Sequence, residues 1–437
     1  MVWVATQGGT PITPYPAPMR WLRDAAYASF AAASSPVWAW RMHRSGKLRT
    51  DWRARFGHGE RWARSGRPRL LIHAVSVGEV NAVRPLVARL ESDRAAPEIA
   101  ISATTDTGTA RAREVFGARH AVVRYPFDAS WMVARFLDRV QPDLVALTEL
   151  ELWPNFVAEC ARRGIPVVVI NGRLSARSCR RYRAIRPLVA GTFASVRAAL
   201  VQNRDYAERF AALGTDPARI FVTGTMKWDA AVIADEVPGA DSMAAELGVD
   251  PRAPLVVAGS TAPEEHALLV EATPAGAQLL CAPRKPEWFE GAAAALPGCA
   301  RRSRGERGSA TGRFLLDTIG ELRKAYGLAD VVVIGRTFGS LYGSDMMEPA
   351  GLGRAIVCGP RVADFQETAD ALRAADALIQ TDAAGLAGAL AELLASPERR
   401  RELGRRAQEV VRAQQGATER TAEALLGILQ EARRARA

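Results

Sequence analysis

Residues 69–79 read Arg69-Leu70-Leu71-Ile72-His73-Ala74-Val75-Ser76-Val77-Gly78-Glu79. An apolar run of strand length ends in a short polar turn, and a helical stretch follows across Val80–Leu90. The same unit recurs, with Ile99–Ala103 as strand, Thr104-Thr105-Asp106-Thr107-Gly108 as turn and Ala110–Phe116 as helix. Ala121–Tyr125, Leu144–Thr148, Val167–Ile170 and Ala199–Val201 are further short apolar segments, most of them separated by helical-length sequence. Runs that are apolar throughout suit strands buried on both faces, as in parallel sheets covered by helices. The rhythm restarts after Gly239 with Leu255–Ala258, Leu279–Ala282, Val331–Ile334 and Ala355–Cys358. Residues 301–313 are polar and glycine-rich, a surface loop, and Ala387–Ala437 is helical, with Pro397-Glu398 opening a long basic amphipathic helix. The pattern predicts an α/β chain: an arm at 1–45, a doubly wound domain at 46–235, and a second at 236–437 that carries the C-terminal helix. The two are expected to face each other across a cleft, each binding ligand at the carboxyl ends of its strands.

Composition narrows the function. The 437 residues hold 58 Lys+Arg against 47 Asp+Glu, a net charge of +11 that favours an anionic partner. Only Lys47, Lys227, Lys285 and Lys324 are lysines, and the arginines are spread rather than clustered, so nucleic acid is not expected. Cys160, Cys179, Cys281, Cys299 and Cys358 form no CxxC pair, which fits a reducing compartment and excludes a disulfide scaffold or zinc site as a leading idea. No signal peptide is expected at the N-terminus. Met19–Trp40 is a poor spanning helix, since it carries Arg23, Asp24 and a Ser-Ser-Pro break. Its tryptophans alternate with arginines, which suits either an interfacial helix on an anionic membrane or a helix packed on its own domain.

Several strand ends carry reactive side chains. Glu79 stands at a helix mouth, either as a dipole-satisfying residue or as a general base for an acceptor hydroxyl. Glu149 and Glu151 flank Leu150 after another strand, one facing the cleft and the other capping a helix. Lys227, in Thr223–Asp229, is either solvated or placed to stabilise charge on a leaving phosphate. Pro283-Arg284-Lys285 sets two cations at a strand end, and Gly259-Ser260-Thr261 opens a helix whose amides suit an oxyanion. Ile319-Gly320-Glu321 and Asp345-Met346-Met347-Glu348 each place an acid beside a helix start, where a carboxylate often accepts ribose hydroxyls.

Taken in order, HAVSVGE, YPFD with Trp131, ELELWPN, NGRLS, TGTMKWD, AGST, APRKPE, IGEL, MMEPA and CGP resemble the 3-deoxy-D-manno-octulosonic acid (Kdo) transferases of lipopolysaccharide synthesis, from Leu71 to about Ala371. The resemblance implies the GT-B architecture, with two Rossmann-like domains, acceptor on the first and nucleotide sugar on the second. It implies inverting transfer of Kdo from CMP-Kdo to a lipid A precursor at the cytoplasmic face of the inner membrane, without metal or cofactor. Glu79 would be the base, and Glu149 and Lys227 would stabilise the transition state. Pro283, Arg284, Ile319, Gly320, Glu321, Asp345, Met346, Met347 and Glu348 would contact CMP. The chain departs from the family in three places. Lys285 follows Pro-Arg where histidine is usual, and Leu150 sits between glutamates where threonine is usual. Gly335-Arg336-Thr337 and Tyr342-Gly343-Ser344-Asp345 replace Gly-Gly-Ser and Gly-Gly-His-Asn, which leaves a different nucleotide sugar as the alternative donor.

Overall fold

A computed structural model of the chain describes residues 51–434 together with Asp24, Ala25 and Ser29. The expected arm at 1–45 and interfacial helix at Met19–Trp40 otherwise lie outside the described residues. The chain divides into two compact units, one running to Ala230 and resuming at Gln415, the other Ala231–Gln414.

The first unit is built on a seven-stranded parallel sheet. Its strands are β1 (Arg69–His73), β2 (Glu98–Ala103), β3 (Ala121–Arg124), β4 (Leu144–Thr148), β5 (Val167–Gly172), β6 (Ala198–Val201) and β7 (Ile220–Val222), in the spatial order β3-β2-β1-β4-β5-β6-β7. Strand order therefore reverses beside β1, and β1 pairs in parallel with both β2 and β4. Successive side chains of a strand alternate between faces. Leu70 and Ile72 join one core with Leu86, Leu90 and Phe116, while Leu71 joins the other with Phe136 and Phe156. Every residue of β1 is buried.

The second unit repeats the plan with β8 (Leu255–Thr261), β9 (Gln278–Pro283), β10 (Ala300–Arg301), β11 (Arg313–Leu315), β12 (Val331–Ile334), β13 (Ala355–Cys358) and β14 (Ile379–Gln380). Their order, β10-β11-β9-β8-β12-β13-β14, reverses beside β8. The expected strands are all present. The strands the periodicity did not reveal, β7, β10, β11 and β14, are at most three residues long and lie at or next to a sheet edge, too short to show an apolar run.

The C-terminal segment corrects the expected domain assignment. It is two helices, Pro397–Gln414 and Ala417–Arg434, broken at Gly416, whose φ of +96° ends the first. The second helix packs Leu425, Ile428 and Leu429 into the core of the first unit, not the second. Ion pairs Arg89–Glu419 at 2.6 Å and Arg197–Glu431 at 2.7 Å fix it there. It also clamps the Thr223–Asp229 loop: Asp229 accepts from Gly416 N at 2.6 Å and Thr418 N at 2.5 Å, and Arg420 donates to Thr223 O. These amides are unpaired helix-start donors, so one carboxylate caps the helix and anchors the loop. Asp229→Ala is expected to cost about 1–2 kcal/mol, read as a lower melting midpoint; an unchanged midpoint contradicts the clamp.

Candidate active site

In the first unit the point of reversal lies between β1 and β4, and Glu79 stands there. Ser76 caps the helix Val77–Ala82 by accepting from Glu79 N. The Glu79 carboxylate accepts from Val75 N at 2.9 Å, Ser76 Oγ at 2.9 Å and Thr148 Oγ1 at 2.8 Å. Its spacing to Ser76 is that of a capping box, yet the residue is only half-buried. Thr148 Oγ1 lies also 2.6 Å from His73 O. A hydroxyl has one proton, so Thr148 donates either to His73 or to the carboxylate. A proton arriving on Glu79 is therefore accommodated by turning that hydroxyl, with no heavy atom moving.

His73 is not the base. It is fully buried, stacked on Tyr125 at 3.8 Å, with Nδ1 2.9 Å from Ser102 Oγ, and burial pushes its imidazole down to about 3. The YPFD and ELELWPN motifs meet structurally as well. Asp128 accepts from Asn155 N and Phe156 N, capping the helix Pro154–Arg162, and Asn155 Nδ2 donates to Asp24 at 3.0 Å.

Glu149, the residue after β4, has φ +55°, and Asn171, in β5, has φ +51°. Left-handed backbone outside glycine is costly and clusters at functional sites. Asn171 Oδ1 accepts from Met226 N at 3.2 Å, which ties the Lys227 loop to β5; Lys227 itself is exposed. Glu151 accepts from Trp153 Nε1 at 2.8 Å. Burial raises its carboxyl above the usual range, the Trp153 bond opposes this, and the charges of Glu79 and Glu149 raise it further. Three carboxylates thus gather at the neighbouring ends of β1 and β4, and the helix-capping role expected of one of the Glu149–Glu151 pair is taken instead by Asp128.

The second unit places Pro283, Arg284, Glu321, Glu348 and their neighbours around β8, β9 and β12. Its organiser is Glu265, a residue the sequence reading missed. It is 1% exposed and accepts four backbone bonds, from Ala262, Arg336, Thr337 and Phe338, at 2.8–3.1 Å. The available signal was its position three residues beyond Ala262, the spacing that relates Glu79 to Ser76. Pro283 is buried at the end of β9, Arg284 is exposed, and the Lys285 ammonium sits over Trp288 at 4.8 Å. Glu321 is engaged by Arg302, Thr318 and Lys324, which together pull its carboxyl down to about 2. Beside it Ile319 is 72% exposed and Gly320 has φ +90°. Met346 and Met347 have buried side chains, so in their run Asp345 and Glu348 are the more accessible. Asp345 accepts from Met347 N, while burial and then Asp345 raise the half-buried Glu348 carboxyl, against Arg323.

Comparisons with known proteins agree with this layout. The family described as 3-Deoxy-D-manno-octulosonic-acid transferase (kdotransferase) matches residues 50–230. A 3-deoxy-D-manno-octulosonic acid transferase of Bordetella pertussis is 32% identical over 420 residues, covering 89% of this chain and 95% of that protein. One of Haemophilus influenzae is 30% identical over 374 residues, covering 83% and 87%. Among solved structures, a glycosyltransferase from Rickettsia africae superposes with a TM-score of 0.55 at 11% identity, covering 84% of this chain and 98% of that one. MurG of Acinetobacter baumannii gives 0.54 at 14%, covering 82% and 99%. These last two show the GT-B fold.

A carboxyl whose native pKa lies above its unfolded value binds protons more tightly when folded, so its stabilising contribution is present at low pH and is lost as pH rises through the native value. Glu151→Gln is therefore expected to melt higher than the native chain at neutral pH, and the gap should close on acidification. A gap that widens toward low pH contradicts the crowding of Glu151 by Glu79 and Glu149.

Proposed function

The chain belongs to the 3-deoxy-D-manno-octulosonic acid (Kdo) transferase family, the Kdo-transferring glycosyltransferases of lipopolysaccharide synthesis, and from that membership we propose that Glu79 is the general base of an inverting transfer from CMP-Kdo to a hydroxyl of a lipid A precursor. The observation that carries this reading is the difference between the two switch-point carboxylates. Glu265 is buried and occupied by four amides, whereas Glu79 is half-exposed, held by one amide and two hydroxyls.

Glu79 takes the acceptor proton as the acceptor oxygen bonds to the anomeric carbon, and the bond from that carbon to the phosphate oxygen breaks. Attack from the face opposite the leaving group inverts the centre. CMP departs with the bonding electron pair, the proton rests on Glu79, and Thr148 turns its hydroxyl toward His73 O to accept from the new acid. Lys227 and Arg284 supply positive charge to the departing phosphate, and Glu149, whose left-handed backbone follows β4, helps stabilise the transition state. Ile319 and Gly320 offer an apolar side chain and an open backbone to the cytosine, and Glu348 accepts ribose hydroxyls. Glu321, already held by two cations, orients that loop. A lipid-borne acceptor places the enzyme at the cytoplasmic face of the inner membrane, a reading supported by the alternating tryptophans and arginines of Met19–Trp40.

The departures at Arg336 and Asp345 favour a second reading, a different nucleotide sugar; calorimetric titration of CMP against UDP and GDP decides between them. Glu79→Gln is expected to retain CMP affinity while transfer falls about 100- to 10,000-fold, and intact turnover would remove the base. Thr148→Val should lower kcat with little change in donor KM, and Thr148→Ser should restore it. A valine variant of native kcat removes Thr148 from the proton's path.

A further inference from the structure

We propose that Arg336 and Arg284 form a two-guanidinium clamp for an anionic group of the sugar nucleotide, with Arg336 a specificity-determining residue of the second unit. The proposal rests on the donor being a nucleotide sugar, as proposed above. It concerns a residue at which this chain departs from the family's usual glycine-rich loop.

The strand order places the two arginines on either side of one strand end. Arg284 follows β9 and Arg336 follows β12, and both strands pair with β8 at its point of reversal. Arg284 N donates to Thr261 O at 3.0 Å. From the other side Gly335 packs so closely on the same residue that a Cβ there would lie 2.5 Å from Thr261 Cα. The backbones of both arginines thus flank Thr261, where Ser260 itself has φ +58°.

Arg336 is held in a conformation that arginine does not favour, φ +61°. The loop is over-determined around it. Glu265 accepts from Arg336 N, Thr337 N and Phe338 N, and Gly343 N donates to Arg336 O at 2.8 Å. Glycine would meet the same backbone demand without strain, so the side chain is what the position retains at a cost. Its Nε donates to Ser344 Oγ at 2.9 Å, which aims the planar fork. Neither Arg336 nor Arg284 forms an ion pair among the described residues, although most arginines near carboxylates in this chain do. Burial and then the Arg284 charge hold Arg336 below the usual arginine range, with Asp364 and Glu265 only partly opposing. Two neighbouring cations, neither of them ion-paired to a carboxylate among the described residues, repel one another, and an oxyanion bridging them removes that repulsion. A sugar-acid nucleotide offers two such groups, the phosphate and the ulosonate carboxylate.

The test compares the native chain with Arg336→Gly and Arg336→Lys, using calorimetry with cytidine, CMP and CMP-Kdo, and thermal melting without ligand. Arg336→Gly should melt at or above the native temperature, because strain and repulsion are both relieved. It should bind CMP-Kdo about 10- to 100-fold more weakly, with cytidine affinity unchanged. Arg336→Lys, which keeps the charge but loses the fork, should fall between. An equal loss for CMP and CMP-Kdo assigns the clamp to the phosphate, and a loss confined to CMP-Kdo assigns it to the carboxylate. Unchanged affinity for both, or a lower melting temperature with cytidine binding lost as well, overturns the clamp in favour of a structural arginine. Should the native chain prefer UDP to CMP, the donor assignment fails instead, and the glycine variant's loss of UMP relative to uridine still decides the clamp.

Discussion

Each sheet confronts its chain with the same problem: after the strand at which the order reverses, backbone amides emerge at a crowded point and must find acceptors. Both units answer with a glutamate three residues past the strand's last turn, Glu79 beyond Ser76 and Glu265 beyond Ala262. The second use is purely architectural. Glu265 disappears into the fold and joins the loop after β8 to the loop after β12. The first use leaves the carboxylate half in solvent with hydroxyl partners whose protons can turn. One capping device is therefore closed into the fold in one unit and left reachable from solvent in the other, and burial is what separates the two.

Backbone strain marks the same places. Six non-glycine residues have left-handed backbone among the described residues, and four of them, Glu149, Asn171, Ser260 and Arg336, lie at the carboxyl ends of central strands. The remaining two, Gln141 and Asp376, follow helices, where such a conformation is ordinary. Strain at strand ends persists only where surrounding bonds over-determine it. Asn171 holds Met226 N, and the Glu265 carboxylate holds Arg336 N. The C-terminal helix extends the same logic to Lys227, because its start fixes Asp229 and Thr223 on either side of that lysine.

Much of this was legible in the sequence. Fully apolar runs gave away the buried central strands, whose bounds at Leu144–Thr148, Val331–Ile334 and Ala355–Cys358 match the structure. The strands at and beside the sheet edges were silent because two or three residues are too few to show a pattern, even where, as at Phe314 and Leu315, the side chains are buried. Glu79 was visible from its place at a strand end. Glu265 was not, since Pro263-Glu264-Glu265 reads as solvated charge until the loop after β12 folds over it. The C-terminal helix was assigned to the wrong unit because amphipathic periodicity reports that a face is buried and not against what. Pro283-Arg284-Lys285 showed two cations at a strand end, and only the structure shows that the Lys285 ammonium sits over the Trp288 ring.

The activity proposed for this chain is the movement of an acidic sugar from a cytidine nucleotide to a lipid hydroxyl. Incubating the native protein with CMP-Kdo and a tetraacylated lipid A precursor, and weighing the lipid product by mass spectrometry, tests it directly. The expected product is lipid heavier by one or more Kdo residues, with CMP released in equal number. Unmodified lipid alongside intact CMP-Kdo, under conditions in which a related Kdo transferase turns over, would contradict it.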